Sequence, residues 1–176
     1  MNEMINIVLC SDDNYAQHVA VTIASIMTNV KTNEKISFFI INDNISVDKI
    51  KKLEKTVLNF NAEINFINAP EEKFSNVYLS GHVSRAAYFR LALPDILPEY
   101  VYKVIYLDVD LLVLDDIKEL WQYDLKQFPI AAVEDYGIMA SHRLCKQKQQ
   151  AIGLPVGEKY FNSGVLIIDL NKWRQE

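Results

Sequence analysis

An open α/β sheet with helices on both faces is the fold class predicted for this 176-residue chain, and three observations predict it. Half of the residues are apolar, which in a chain of this length supplies one sizeable core. Strand-like apolar runs alternate with segments whose apolar residues recur at helical spacing. No linker, internal repeat or low-complexity tract interrupts that alternation, so residues 1–176 read as a single domain.

The elements follow in order. Ile5 to Cys10 is an unbroken apolar run, as expected of a parallel strand buried on both faces. It passes through Ser11-Asp12-Asp13-Asn14 into a helix over Tyr15 to Asn29. Ile36 to Ile41 is the second strand, Ser46 to Phe60 an amphipathic helix begun by Ser46, and Ile64 to Ile67 the third strand. Beyond the loop around Pro70, Val83 to Leu93 reads as helical and stops at Pro94, whose ring cannot continue a helix. Val104 to Leu107 is the next strand. Asp116, three residues before Glu119, opens Ile117 to Trp121 in the pattern of a capping box. Ile130 to Val133 is a short strand, Phe161 to Leu170 the last, and Asn171 reads as the N-cap of a further helical turn.

The composition removes several function classes. A formal net charge of -5 and the lack of any Lys/Arg cluster argue against a general nucleic-acid surface. Met1 to Cys10 carries Glu3, lacks a basic start and is too short in its apolar part for a signal peptide, and no apolar stretch approaches a membrane span. The expected compartment is the cytoplasm. Cys10 and Cys145 have neither metal-type spacing nor the number needed for a disulfide framework, so both are expected to be reduced and structural.

Asp108-Val109-Asp110 carries the chemistry. It follows the apolar run Val104-Ile105-Tyr106-Leu107 and precedes Leu111-Leu112-Val113-Leu114. A carboxylate in low-dielectric surroundings costs several kcal/mol unless a cation or donors compensate it, roughly as for any buried ion. Residues i and i+2 of an extended chain point to one side, so both carboxylates can reach one hard cation and leave positions open for phosphate oxygens. Asp115 and Asp116, by contrast, are explained as helix caps. In open α/β sheets ligands lie beyond the carboxyl ends of the strands, and two loops qualify: Ser11 to Tyr15, and Asp108 to Asp110. The first turn lacks the glycines of a dinucleotide phosphate loop, so the phosphate charge falls to the metal and an arginine, with a nucleoside diphosphate as the candidate ligand.

Four segments taken together resemble a known family. Cys10-Ser11-Asp12-Asp13-Asn14-Tyr15, Ala87-Tyr88-Phe89-Arg90-Leu91, Val104 to Asp110 and Tyr160-Phe161-Asn162-Ser163-Gly164-Val165-Leu166 stand in the order found in retaining glycosyltransferase family 8. The best match is the bacterial lipopolysaccharide galactosyl- and glucosyltransferase branch, and the likeness runs from the first strand to Lys172-Trp173-Arg174. The resemblance implies a Rossmann-like glycosyltransferase A fold, a UDP-galactose or UDP-glucose donor, Mn2+ (or Mg2+) at the diphosphate, and transfer with retention to a lipopolysaccharide, another glycan or a lipid-linked saccharide. Carried over position by position, it implies that Asp12 and Asn14 contact uracil and ribose and that Tyr15 stacks on the base. Arg90 faces the donor sugar and phosphates, a role suited to the several fixed donors of a guanidinium. Asp108 and Asp110 hold the metal, with Val109 between them at the donor, while Asp135 and Asn162 line the sugar and acceptor side. No second acidic pair is placed to supply a nucleophile, and none is assigned.

The family's third metal ligand, a histidine within His-x-x-Gly-x-x-Lys, and an Asp-Gln pair follow the final strand, whereas this sequence ends at Glu176. His18, His82 and His142 match no such motif and are expected to be structural. The expectation is therefore the N-terminal part of a longer glycosyltransferase, with impaired transfer on its own, peripheral contact with the inner membrane face lying in missing segments, and self-association through uncovered apolar surface near Val165 to Leu170. Two alternatives stand beside it: a non-catalytic UDP-sugar-binding module, and a haloacid-dehalogenase-type phosphatase. The second usually has Gly-Thr after its aspartates, where this chain has Leu111-Leu112.

Overall fold

The computed structural model describes residues 4–31, 33–58, 60–78, 85–139, 142–155 and 158–175. Its centre is a six-stranded sheet in the order β3-β2-β1-β4-β6-β5. The strands are β1 (Ile5–Asp12), β2 (Ile36–Asp43), β3 (Ala62–Asn68), β4 (Lys103–Leu107), β5 (Ile130–Glu134) and β6 (Phe161–Asp169). β1 to β4 are parallel to one another. β6 runs antiparallel to both β4 and β5, so the sheet is mixed.

Alternation along β1 explains why its whole length is apolar. Ile5, Ile7 and Leu9 enter one core with Val19, Ile23 and Ile26 of α1 (Ala16–Asn29) and Leu53 and Val57 of α2 (Val47–Val57). Val8 and Cys10 enter a second core with Phe89 of the 3-10 helix Arg85–Ala92, Leu93 of α3 (Leu93–Ile96) and Leu170 of α7 (Leu170–Trp173). Period-two side-chain direction thus feeds two hydrophobic layers, and the helices lie on both faces as the pattern implies.

Several boundaries differ from the sequence reading, each for a local reason. Pro94 does not end a helix: it occupies the first turn of α3, where its missing N–H would be unpaired in any case. The segment read as helical from Val83 is a 3-10 helix from Arg85, with Val83 and Ser84 outside the described residues. α7 is capped by Asp169, whose side chain accepts from the Lys172 amide, and not by Asn171. Before α4 (Ile117–Trp121) Asp116 accepts from the Lys118 amide, while its own N–H donates to Asp115. Ser46 precedes α2 without a side-chain cap; Asp13 takes the Ser46 amide at 2.8 Å. Arg174 ties α7 to the α3–β4 connection, donating to the carbonyls of Pro94, Leu97 and Val101.

Among the described residues no helix is long and apolar enough to cross a membrane. Leu112, Leu114, Tyr123, Phe128 and Val133 expose much of their surface around α4 and β5.

Candidate functional site

Register places the site. β1 pairs with β4 as far as Leu9↔Leu107, so Asp108 leaves the sheet beside Cys10-Ser11-Asp12, which stay paired with β2 at its carboxyl edge. β4 pairs with β6 at Leu107↔Val165, which sets Gly164 next to Asp108; the Asp108 amide donates to the Gly164 carbonyl at 2.7 Å. Across this edge lies the 3-10 helix Arg85–Ala92, held to β2 by the Arg85–Asp43 ion pair at 2.6 Å. Between them opens a cleft of about 130 Å³, lined by Cys10, Ser11, Asp12, Tyr15, Ala86, Ala87, Arg90, Tyr106, Asp108, Val109 and Asp110.

The cleft has two chemically different walls. On the β1 side Asp12 Oδ1 accepts the Tyr15 amide at 3.0 Å, closing a tight turn into α1. That turn leaves the Tyr15 ring 43 % exposed at the rim and tilted against His18 at 5.1 Å between centroids. Asn14 is exposed on the same turn. On the β4 side Asp108 Oδ1 accepts from Arg90 Nη2 at 3.0 Å and from the Tyr106 hydroxyl at 2.8 Å. Arg90 also donates Nε to the Ala87 carbonyl at 2.6 Å and Nη1 to the Ser163 carbonyl, and its guanidinium lies 4.5 Å over the Tyr106 ring. A planar cation with donors on three nitrogens reaches three acceptors that lie apart, which the single ammonium nitrogen of a lysine does not.

Burial, the largest influence, pushes the Cys10 thiol and the Tyr106 phenol well above their ordinary values. Both therefore stay protonated, and Tyr106 acts toward Asp108 as a donor.

Gly164 is required by close approach. A Cβ at that position would lie 2.5 Å from Asp108 Oδ2 and 3.1 Å from Asn162 Oδ1. Asp108 Oδ2 thus takes the place a Cβ would fill, and the carboxylates of Asp108 and Asp110 are hard oxygen donors of the kind that bind Mg2+ or Mn2+ through one or two carboxylates and complete the shell with substrate phosphates. The side chains present fit such an ion. Among the described residues no group of three or more His, Cys, Asp or Glu is placed to hold a metal ion by itself.

Of the residues singled out in the sequence, Asp12, Tyr15, Arg90, Asp108, Val109 and Asp110 share the cleft. Asn162 does not line it; its Oδ1 accepts the amide of Gly164, the neighbour of Asp108, at 2.8 Å. Asp135 lies at the end of β5, where its Oδ1 accepts from the Ile138 amide and caps α5 (Tyr136–Met139). His18 is exposed and His82 lies outside the described residues; the backbone of His142 begins α6 (His142–Ala151). Tyr106, Ser163 and Asp43 escaped the sequence reading. The position of Tyr106, two residues before Asp108 in a strand, was the signal available for it, since such residues share a face.

Comparisons with known proteins agree with this geometry. The profile described as glycosyl transferase family 8 matches residues 6–176. General stress protein A of Bacillus subtilis (strain 168) is 36% identical over 176 residues, covering 99% of this chain and 59% of its own length. A putative glycosyltransferase of Haemophilus influenzae is 35% identical, covering 99% of this chain and 51% of its own. The crystal structure of the galactosyltransferase LgtC in complex with donor and acceptor sugar analogs superposes with a TM-score of 0.86 at 32% identity, covering 98% of this chain and 60% of that one. The chain thus spans between half and three fifths of the length of these relatives. With the profile matched over nearly the whole sequence and the sheet superposing on a solved member, this chain belongs to glycosyl transferase family 8.

Proposed function

We propose that residues 1–176 form the nucleotide-sugar-binding domain of a metal-dependent, retaining hexosyltransferase that takes UDP-galactose or UDP-glucose as donor and a glycan or lipid-linked saccharide as acceptor. The observation that carries this reading is the convergence of Asp12, Tyr15, Arg90, Asp108 and Asp110 on one cleft beyond the carboxyl ends of β1 and β4. Family membership and the likeness to a galactosyltransferase solved with donor and acceptor analogs support it.

In this reading Tyr15 offers an exposed ring to the uracil, and Asp12 and Asn14 offer polar contacts to base and ribose. Asp108 and Asp110 hold Mn2+, with Mg2+ as the alternative, which when bound supplies positive charge to the diphosphate leaving group. Arg90 holds Asp108 in place and keeps a fixed positive charge beside the donor sugar. Asn162, tied to Gly164 next to Asp108, faces the transferred sugar, and Asp135 stands on the acceptor side. Water exclusion around an oxocarbenium-like sugar falls to the walls of the cleft. The family match sets aside the phosphatase alternative.

The test is calorimetric titration with UDP, with and without Mn2+, of the wild-type chain and an Asp110→Ala variant. Affinity that depends on Mn2+ and is lost in the variant supports the reading; equal affinity in all four titrations overturns it. Hydrolysis of a UDP-hexose, or transfer from it, then separates an enzyme from a binding module.

A further inference from the structure

Thr22 is fully buried in α1, among positions filled elsewhere by Val19, Ile23 and Ile26. A hydroxyl there costs free energy unless it is hydrogen-bonded, and in a helix it would ordinarily bond to the carbonyl of the preceding turn. Instead Oγ1 reaches across to the carbonyl of Val109 at 2.8 Å and of Leu111 at 3.1 Å. These are the two residues that flank Asp110.

The backbone beyond Leu107 has left the sheet, so its polar groups need partners from elsewhere. α1 supplies them from one face. After Thr22, Ser25 Oγ accepts the Val113 amide at 3.0 Å and donates to the Thr22 carbonyl at 2.8 Å, and Asn29 Nδ2 donates to the Val113 carbonyl at 2.9 Å. Positions 22, 25 and 29 recur at helical spacing and meet alternate residues, 109, 111 and 113, of a segment that bends at Val109 and Asp110. Val109 and Leu111 pack into the same core, which turns Asp110 outward toward the cleft.

We infer that Thr22 is a positioning residue for Asp110: its hydroxyl fixes the carbonyls on both sides of that aspartate and so sets the aim of the second carboxylate at the cation. The inference rests on the proposed role of Asp108 and Asp110 as the cation site, and extends it to a side chain on another element that never touches the ligand.

The test compares Thr22→Val, which keeps the volume and removes the donor, with Thr22→Ser, which keeps the donor. Two readouts are taken: hydrogen exchange of the backbone across 109–113 without ligand, and UDP binding with and without Mn2+. Thr22→Val is expected to speed exchange in that segment and to weaken Mn2+-dependent UDP binding about tenfold, the equivalent of one neutral hydrogen bond, while metal-free UDP binding stays unchanged. Thr22→Ser is expected to match the wild type in both. Unchanged exchange in Thr22→Val overturns the inference, as does an equal fall of affinity with and without metal, which a merely structural role would give. Should Thr22→Val not fold, Thr22→Ala carries the same comparison. Should the wild type bind no UDP with Mn2+, the functional reading fails by itself; faster exchange in Thr22→Val then upholds the backbone assignment and equal exchange overturns it.

Discussion

The two walls of the cleft are built by opposite means. On the β1 side the contacts are separate from one another: Asp12 receives the amide of Tyr15, three residues on, and the neighbouring Asp13 is held by Ser46 and Lys49 at the start of α2. On the β4 side Asp108 depends at once on Tyr106 of β4, on Arg90 from the 3-10 helix and on the Gly164 carbonyl from β6, three elements that converge on one residue. A wall made of separate contacts tolerates change because each stands by itself. A wall made by convergence fails as a unit, since Arg90 joins Asp108, Ala87, Ser163 and Tyr106 in one network.

Substitutions should separate the walls in that order of severity. Gly164→Ala should do most damage: the new Cβ meets an Asp108 carboxylate that cannot swing away without losing Arg90 and Tyr106. A loss of about 3 kcal/mol in unfolding free energy, typical of overpacking at its upper end, is expected in urea titration, together with loss of Mn2+-dependent UDP binding. Arg90→Lys comes next. It keeps the charge but has a single nitrogen that cannot reach acceptors lying apart, so a loss of about 2 kcal/mol is expected by the same measurement, with near-normal binding of UDP in the absence of metal.

The smallest effect belongs to the β1 side. Hydrogen bonding from Lys49, then from the Ser46 amide, lowers the Asp13 carboxyl to about 2. A carboxylate depressed in the folded state contributes stability above its unfolded value, and that contribution fades as pH falls through the folded one. The difference in stability between wild type and Asp13→Asn should therefore be small at pH about 5 and vanish on acidification toward pH about 2, as read by urea unfolding at both. Should Asp13→Asn prove more damaging than Gly164→Ala, the contrast between the walls is wrong.

The same contrast explains what could be read from the sequence. The strands and the βα turn were legible because their signals are local: the continuous apolar run of β1, the turn residues Ser11 to Asn14, and the period of α1. Asp108 and Asp110 were legible because carboxylates within an apolar run violate a local rule. The reversal of β6 was not, since an apolar run fits either direction of pairing. Nor was the satisfaction of Asp108 by Tyr106 and Arg90, or the Arg85–Asp43 pair that seats the 3-10 helix, because neither partner's spacing names the other. The α3 boundary was misread because Pro94 stops a helix only when it falls beyond the first turn.

The direction of β6 has a consequence for the order of assembly. Four parallel strands and both walls of the first core precede it along the chain, yet the glycine and the carbonyls that frame Asp108 arrive only with this penultimate element, entering from the far end of the sheet. Its pairing with β4 is non-local, as is the still longer-range pairing of β1 with β4, and both close more slowly than the helices form. The frame of Asp108 is therefore complete only once this strand has joined the sheet, however much of the rest has folded.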